Sequence, residues 1–206
     1  QPIRRFTRPS VPGVTPSRWR TADRRVAIDE FFLLGDAVWL DFVNTSRGRV
    51  APPSDLLPDF DAWLRWTSTR KLDPGGGPSR FPDVLRLRDH LTSLAEALHA
   101  DTPPPGGAIA AVNELLGRRG GAQQLTRVSG EWRLHFTPVH SSPALEAIAW
   151  SAGGTLADPL VRVRRCAGPQ CSLFFTDDSP TGSRRWCDRQ VCGRDMIVER
   201  RRGLLR

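Results

Sequence analysis

Residues 166–195 read CAGPQCSLFFTDDSPTGSRRWCDRQVCGRD and contain all four cysteines of the chain. Cys166 and Cys171 bracket four residues, Cys187 and Cys192 bracket another four, and fifteen residues separate the pairs. Two short loops, each offering two thiolates, are what a closed tetrahedral zinc site requires, because each loop can turn both sulfurs toward one centre. Gly168-Pro169 and Gly193 suit such turns. The competing reading is two disulfides, which calls for an oxidising compartment and ordinarily for a chain that lacks its own core. If four protein sulfurs fill the coordination sphere, no position is left for a catalytic water, and the metal is structural. Binding it would order a segment whose apolar residues, Leu173, Phe174, Phe175 and Trp186, are too few to fold unaided.

Upstream of the cysteines the apolar pattern is helical. Val84, Leu87, Leu91, Leu94 and Leu98 step by three and four and form one continuous stripe with charged residues opposite, the clearest helix of the chain. Phe60, Trp63, Leu64 and Thr67 predict a shorter helix ended by Pro74-Gly75-Gly76-Gly77-Pro78, and Ile109, Val112, Leu115 and Leu116 predict another after a proline break. The stretch Phe31–Thr45, FFLLGDAVWLDFVNT, is the most apolar and is expected in the core, with a turn at Gly35-Asp36. From Gln123 to Phe136 the period changes to two around Ser129-Gly130, which predicts a hairpin. Ser142-Pro143 then opens a helix expected to reach about Ala152. The fold class is therefore mainly α: a multihelical N-terminal domain with a β-hairpin, followed by a small C-terminal zinc-finger module built on four cysteines. Composition divides the chain into a basic, proline-rich arm at 1–25, a helical domain at 26–160 and the metal module with a basic tail at 161–206.

Charge follows the same division. Residues 1–25 carry seven Arg and one Asp, and residues 162–206 carry eleven Arg and five acids, whereas the chain as a whole has a net charge of +8. The middle is consequently acidic and both ends basic, which points to an anionic partner, nucleic acid before membrane, since no amphipathic apolar face accompanies the charge. No apolar run approaches the roughly 20 residues of a membrane helix, and the visible N-terminus has no apolar stretch behind its basic residues, so a cytoplasmic protein is expected. In the finger, Arg184, Arg185, Arg189, Arg194, Arg200, Arg201 and Arg202 are candidate phosphate or base contacts, because guanidinium groups suit both.

Other chemistry is sparse. His90, His99, His135 and His140 lack paired metal spacing, and no HExxH, GxSxG, P-loop or GxGxxG pattern occurs, so catalysis is not visible from motifs. Asp41 and Asn44 stand inside the apolar stretch. They could converge on a small molecule in an apolar pocket, but capping of local backbone at a helix start is the favoured expectation. Trp39, Trp63, Trp132 and Trp150 fall on apolar faces and are expected in the core, and Trp186 is expected to pack. Asp177-Asp178 ahead of Ser179-Pro180 predict a turn.

The LDFVNT stretch at 40–45, the helical middle, the hairpin and the C-terminal C-x4-C…SRRWC-x4-CG resemble the ABATE domain joined to a CGNR-type zinc finger, a bacterial group named for stress-induced transcription regulation. The resemblance covers roughly residues 30–202 and implies zinc ligation by Cys166, Cys171, Cys187 and Cys192, a mainly α-helical fold and a DNA-binding finger. The helical domain is then expected to bind a small-molecule effector or to mediate a homodimer. The chain departs from the signature at Cys192-Gly193-Arg194-Asp195, and Asp195 and Glu199 at i and i+4 would set two carboxylates on one helix face, against phosphate. A small-molecule enzyme or binding protein on the same scaffold, with zinc purely structural, is the alternative that this departure motivates.

Overall fold

The periodic stretches fold as their spacing predicts, and the reason is visible in which faces they bury. The structure is a computed structural model that describes residues 30–34, 37–49, 52–118, 120–128, 131–138 and 143–194. The basic arm, the Gly35-Asp36 turn, Ser129-Gly130, Ser142 and the tail from Asp195, with its Asp195–Glu199 face, lie outside the described residues. Helix α1 is Val38–Val43, continued by a 3₁₀ turn at Asn44–Ser46; α2 is Phe60–Thr69, α3 Phe81–His99, α4 Gly106–Arg118 and α5 Ala144–Ala157. Strands β1 (Gly121–Val128) and β2 (Glu131–Pro138) pair antiparallel, as do β3 (Arg162–Arg165) and β4 (Phe174–Asp177).

Helix α2 starts where the Asp59 carboxylate accepts the Ala62 N–H at 2.8 Å, satisfying one of the free donors of a helix N-terminus. It buries Ala62, Trp63, Trp66 and Thr67, and the two indoles stack with centroids 5.4 Å apart. Phe42 of α1 meets both, edge-on to Trp63 at 5.7 Å and tilted against Trp66 at 5.4 Å. Helix α3 turns Val84, Leu87, Leu91 and Leu94 inward, four of the five stripe positions; Leu98 is only partly buried. Helix α5 runs five residues beyond Ala152, through Gly153-Gly154, and packs against α4, with Gly153 facing Leu116. Its first described neighbour, Pro143, provides no side-chain cap.

Two further differences from the sequence expectation are physical in origin. Trp39 and Trp63 are fully buried and Trp150 is partly so, but Trp132 is 65 % exposed, because among the described residues no helix packs broadly against the β1–β2 ribbon. Alternation in a strand marks its two faces without saying whether either is covered. The metal module, moreover, is not an appendage beside the helical core. Val163 of β3 and Phe174 of β4 belong to the same buried cluster as the helices, with β3 lying on α3 and β4 on α1.

Asn44 makes that joint specific. Its Oδ1 accepts the Phe174 N–H at 2.9 Å and its Nδ2 donates to the Phe174 carbonyl at 2.9 Å, so one amide side chain pairs with both backbone groups of a residue 130 positions away. Gly48 and Ser172 add a second tie: Ser172 N–H donates to the Gly48 carbonyl at 2.8 Å, and Gly48 N–H to Ser172 Oγ at 3.0 Å. Asn44→Ala should therefore cost about 2–3 kcal/mol, because it strands the buried N–H and C=O of Phe174. Chemical denaturation of the zinc-saturated protein measures it, and a loss below about 0.5 kcal/mol would remove the joint from this account.

Candidate metal centre

Each cysteine pair is set by its own local backbone. Cys166 follows β3, where its N–H donates to the Leu173 carbonyl at 2.9 Å; Cys171 closes the loop, donating to Gly168 O at 3.1 Å. The second pair is organised by Asp188, whose carboxylate accepts Gln190 N–H at 2.8 Å and Val191 N–H at 3.3 Å, and whose carbonyl accepts Cys192 N–H at 3.0 Å. Ala167 N–H to Arg185 O at 2.9 Å ties the two loops together. All four Sγ atoms lie within 4.8 Å of one another, and all four residues are buried.

Two separations, 3.8 Å between the Cys171 and Cys187 sulfurs and 3.6 Å between those of Cys187 and Cys192, decide the chemistry. A disulfide needs about 2.05 Å, whereas a tetrahedron with Zn–S bonds of about 2.3 Å has sulfur–sulfur edges of about 3.8 Å. The cysteines are free thiols arranged as a tetrathiolate ligand set. The residues present fit zinc, which when bound would supply charge neutralisation and folding free energy.

Protonation states follow from crowding. Donation from Cys171 and Cys187 drives the Cys166 thiol far below its ordinary value, helped by the Cys187 and Gly168 N–H groups at 3.4 Å. The same contact with Cys166 pushes Cys171 and Cys187 up, and burial with anionic neighbours pushes Cys192 up to about 12. One thiolate is thus easy and four together require a cation among them. Gly168 sits where any side chain would crowd the sulfurs: a Cβ there would stand 3.1 Å from Cys171 Cβ and 3.4 Å from Cys192 Sγ.

The helical domain contributes to the centre, which spacing alone did not foretell. Phe32 and Leu34 pack on the cysteine cluster. Arg49, one residue beyond the Gly48–Ser172 tie, lies over the Phe32 ring at 5.4 Å. Burial works against its charge, but the nearby Cys187 and Cys192 sulfurs and Asp188 outweigh that and raise its pKa. An arginine after the LDFVNT stretch is the only signal in sequence, and nothing local marks it as the neighbour of a thiolate cluster.

The arginines of the module divide into two groups. Arg184 points inward: it donates to the carbonyls of Trp186 at 3.2 Å, Thr176 at 3.1 Å and Cys187 at 2.7 Å, with its guanidinium 4.5 Å over the Phe175 ring. Arg184 is therefore placed as a clamp on the second cysteine loop, apart from the surface set. Arg185, Arg189 and Arg194 are exposed, Arg185 lying over the half-buried Trp186 at 5.3 Å; Arg200, Arg201 and Arg202 lie outside the described residues.

Asp41 and Asn44 do not converge on a common centre. Asp41 accepts the Leu34 N–H at 2.8 Å and is ion-paired with Arg70, whose pKa burial lowers to about 10. Asn44 is consumed by Phe174. The local cap expected of Asn44 is replaced by a long-range tie, because its position at the end of α1 faces β4 rather than a free helix start. Asp177, fully buried at the end of β4, does organise a turn: it accepts Ser179 N–H and Oγ–H on Oδ1, and Arg164 and Arg184 N–H on Oδ2.

A mainly helical domain with a strand pair welded to its core and a closed four-thiolate centre defines a metal-stabilised two-part protein. Residues 36–159 match the ABATE family model, described as a putative stress-induced transcription regulator, and residues 162–203 match the CGNR zinc finger. The chain belongs to the ABATE family and carries that zinc finger. No curated protein matches it in addition. No helix among the described residues is long and apolar enough to cross a membrane.

Metal analysis should return about one zinc per chain, and chelation should unfold the module because binding supplies on the order of 10 kcal/mol in small zinc domains. Gly168→Ala should weaken zinc retention by at least about tenfold in a chromophoric-chelator competition, about 1.4 kcal/mol; wild-type retention would refute the crowding described. A separate expectation concerns acid. Burial would raise the Asp177 carboxyl, but its donors from Ser179, Arg164 and Arg184 outweigh burial and hold it below the usual range. Its stabilisation is therefore complete above about pH 4 and lost as pH falls toward the lowered value. Asp177→Ala should cost about 3 kcal/mol at neutral pH, and the gap from wild type should narrow on acidification in denaturation curves.

Proposed function

We propose that this chain is a DNA-binding transcription regulator in which the zinc-ordered module presents Arg185, Arg189 and Arg194 to phosphate. Arg200, Arg201 and Arg202 extend that set in sequence. One observation carries the reading: the module commits Arg184 to its own carbonyls while leaving three neighbouring arginines exposed beside the cysteines. Rigidly placed guanidinium groups lose little freedom on meeting a phosphate, which favours binding. Family membership supports the same class. For a bacterial regulator of this kind the working compartment is the cytoplasm.

The helical domain then serves as the frame that fixes the module's pose. Asp41 and Asn44 act in it as internal ties, through Leu34, Arg70 and Phe174.

Binding of labelled duplex from the protein's own locus, followed by anisotropy at several salt concentrations, tests the proposal. Affinity should fall linearly in log–log form with salt, with a slope of about −0.9 per phosphate contacted. Combining Arg185→Gln, Arg189→Gln and Arg194→Gln should reduce the slope by about three contacts and affinity by at least about tenfold, with zinc content unchanged. Arg184→Gln should instead lower zinc retention. Unchanged binding by the triple variant would defeat the reading.

A further inference from the structure

We propose that the β1–β2 ribbon is a second nucleic-acid contact, lying in a groove of duplex DNA independently of the zinc module. The register pairs Leu125 with Leu134 and Arg127 with Trp132, and directly opposed residues share a face. With Gln123 two positions before Leu125, that face gathers Gln123, Leu125, Arg127, Trp132 and Leu134. Leu125, Trp132 and Leu134 are 60 %, 65 % and 66 % exposed, and Gln123 and Arg127 are exposed as well. The Arg127 guanidinium stands 5.9 Å over the Trp132 ring.

A bare apolar face on a paired ribbon is a surface kept for a partner, since two strands alone are marginally stable and uncovered apolar groups invite association. Charge selects the partner. The five residues of the face carry one charge, the Arg127 guanidinium, and no acid, and residues 119–138 hold three Arg against the single acid Glu131, so a second copy meets like charge and a polyanion is attracted. Shape agrees with duplex DNA. Eight residues per strand extend about 27 Å at about 3.4 Å per residue, and a two-stranded ribbon fits a major groove about 12 Å wide. The chemistry of the face matches what a groove displays: an amide for adenine, a guanidinium for guanine or phosphate, and aliphatic and aromatic groups for thymine methyls. A second copy seated on the same face is the occupant that the charge disfavours.

The test places a photo-crosslinking benzoylphenylalanine at position 134 of the zinc-loaded, full-length protein and irradiates it with a duplex of about 30 base pairs at low salt. Crosslinking to DNA is expected. In parallel, Arg127→Gln should lower affinity several-fold and reduce the salt slope by about one contact, and Trp132→Ala should lower affinity while zinc content and helicity stay unchanged. A crosslink to a second protein chain, or DNA binding with no crosslink and wild-type affinity in both variants, overturns the proposal. The finger triple variant separates the two surfaces. If it binds as wild type does while position 134 still crosslinks, the finger reading fails and the ribbon stands; if it abolishes binding while ribbon variants have no effect, the reverse holds.

Discussion

The pairing of the Asn44 amide with both backbone groups of Phe174 is the constraint on which this architecture turns. A buried N–H and C=O in a β-strand must find partners, and here the missing neighbour strand is replaced by one side chain from the helical domain. Because Phe174 lies in the helical core and Leu173 and Phe175 flank it beside the cysteines, the amide sets the position of the whole metal module. Arg47 over the Phe174 ring at 5.2 Å, the Gly48–Ser172 tie and Arg49 beside Cys187 follow from the same placement, since three consecutive residues after the 3₁₀ turn each meet the module. Metal binding is thereby coupled to the helical fold, and the finger is unlike a bead on a string.

That coupling bears on how such a protein acts. A finger held at one amide clamp, one backbone tie and a shared apolar core keeps its exposed arginines in a fixed relation to the helices. Asp177 and Arg184 do the same work from within, committing charge to internal backbone so that loops with little apolar content remain defined. The centre itself has no open position, and its chemistry is that of a fastener.

Much of this is legible in the chain. The three-and-four stripe of α3 is readable because helix periodicity is local and strong. On α2 the same reading finds Trp63 and Thr67 but includes Leu64, which is 37 % exposed, and misses the buried Trp66. The cysteine spacing announces a four-sulfur centre because loop closure around one ion restricts which spacings work. The exposure of Trp132 is not readable, because a period of two is the same for a covered strand and a bare one. Asn44 and Arg184 escape for different causes: a polar residue in an apolar stretch signals a partner without saying that it lies 130 residues away, and an arginine in a basic run signals solvent, although Arg184 folds back on carbonyls two to eight residues from it. The arm and tail, which carry much of the basic charge, enter only through their composition.

By itself the amino-acid sequence determined the helical class, the hairpin, the metal ligands and the family, since each is written in short-range periodicity, turn chemistry or ligand spacing. Tertiary structure alone decided that β4 completes the helical core, that Arg49 lies beside the cysteines, that Arg184 faces in while Arg185 is exposed, and that Leu125, Trp132 and Leu134 of the ribbon are exposed. The first two of those outcomes depend on which surfaces meet across more than a hundred residues of chain, as with Asn44 and Phe174, and contacts of that range leave no periodic trace for a single sequence to display; the others are settled by local packing that a period of two or a basic run does not record.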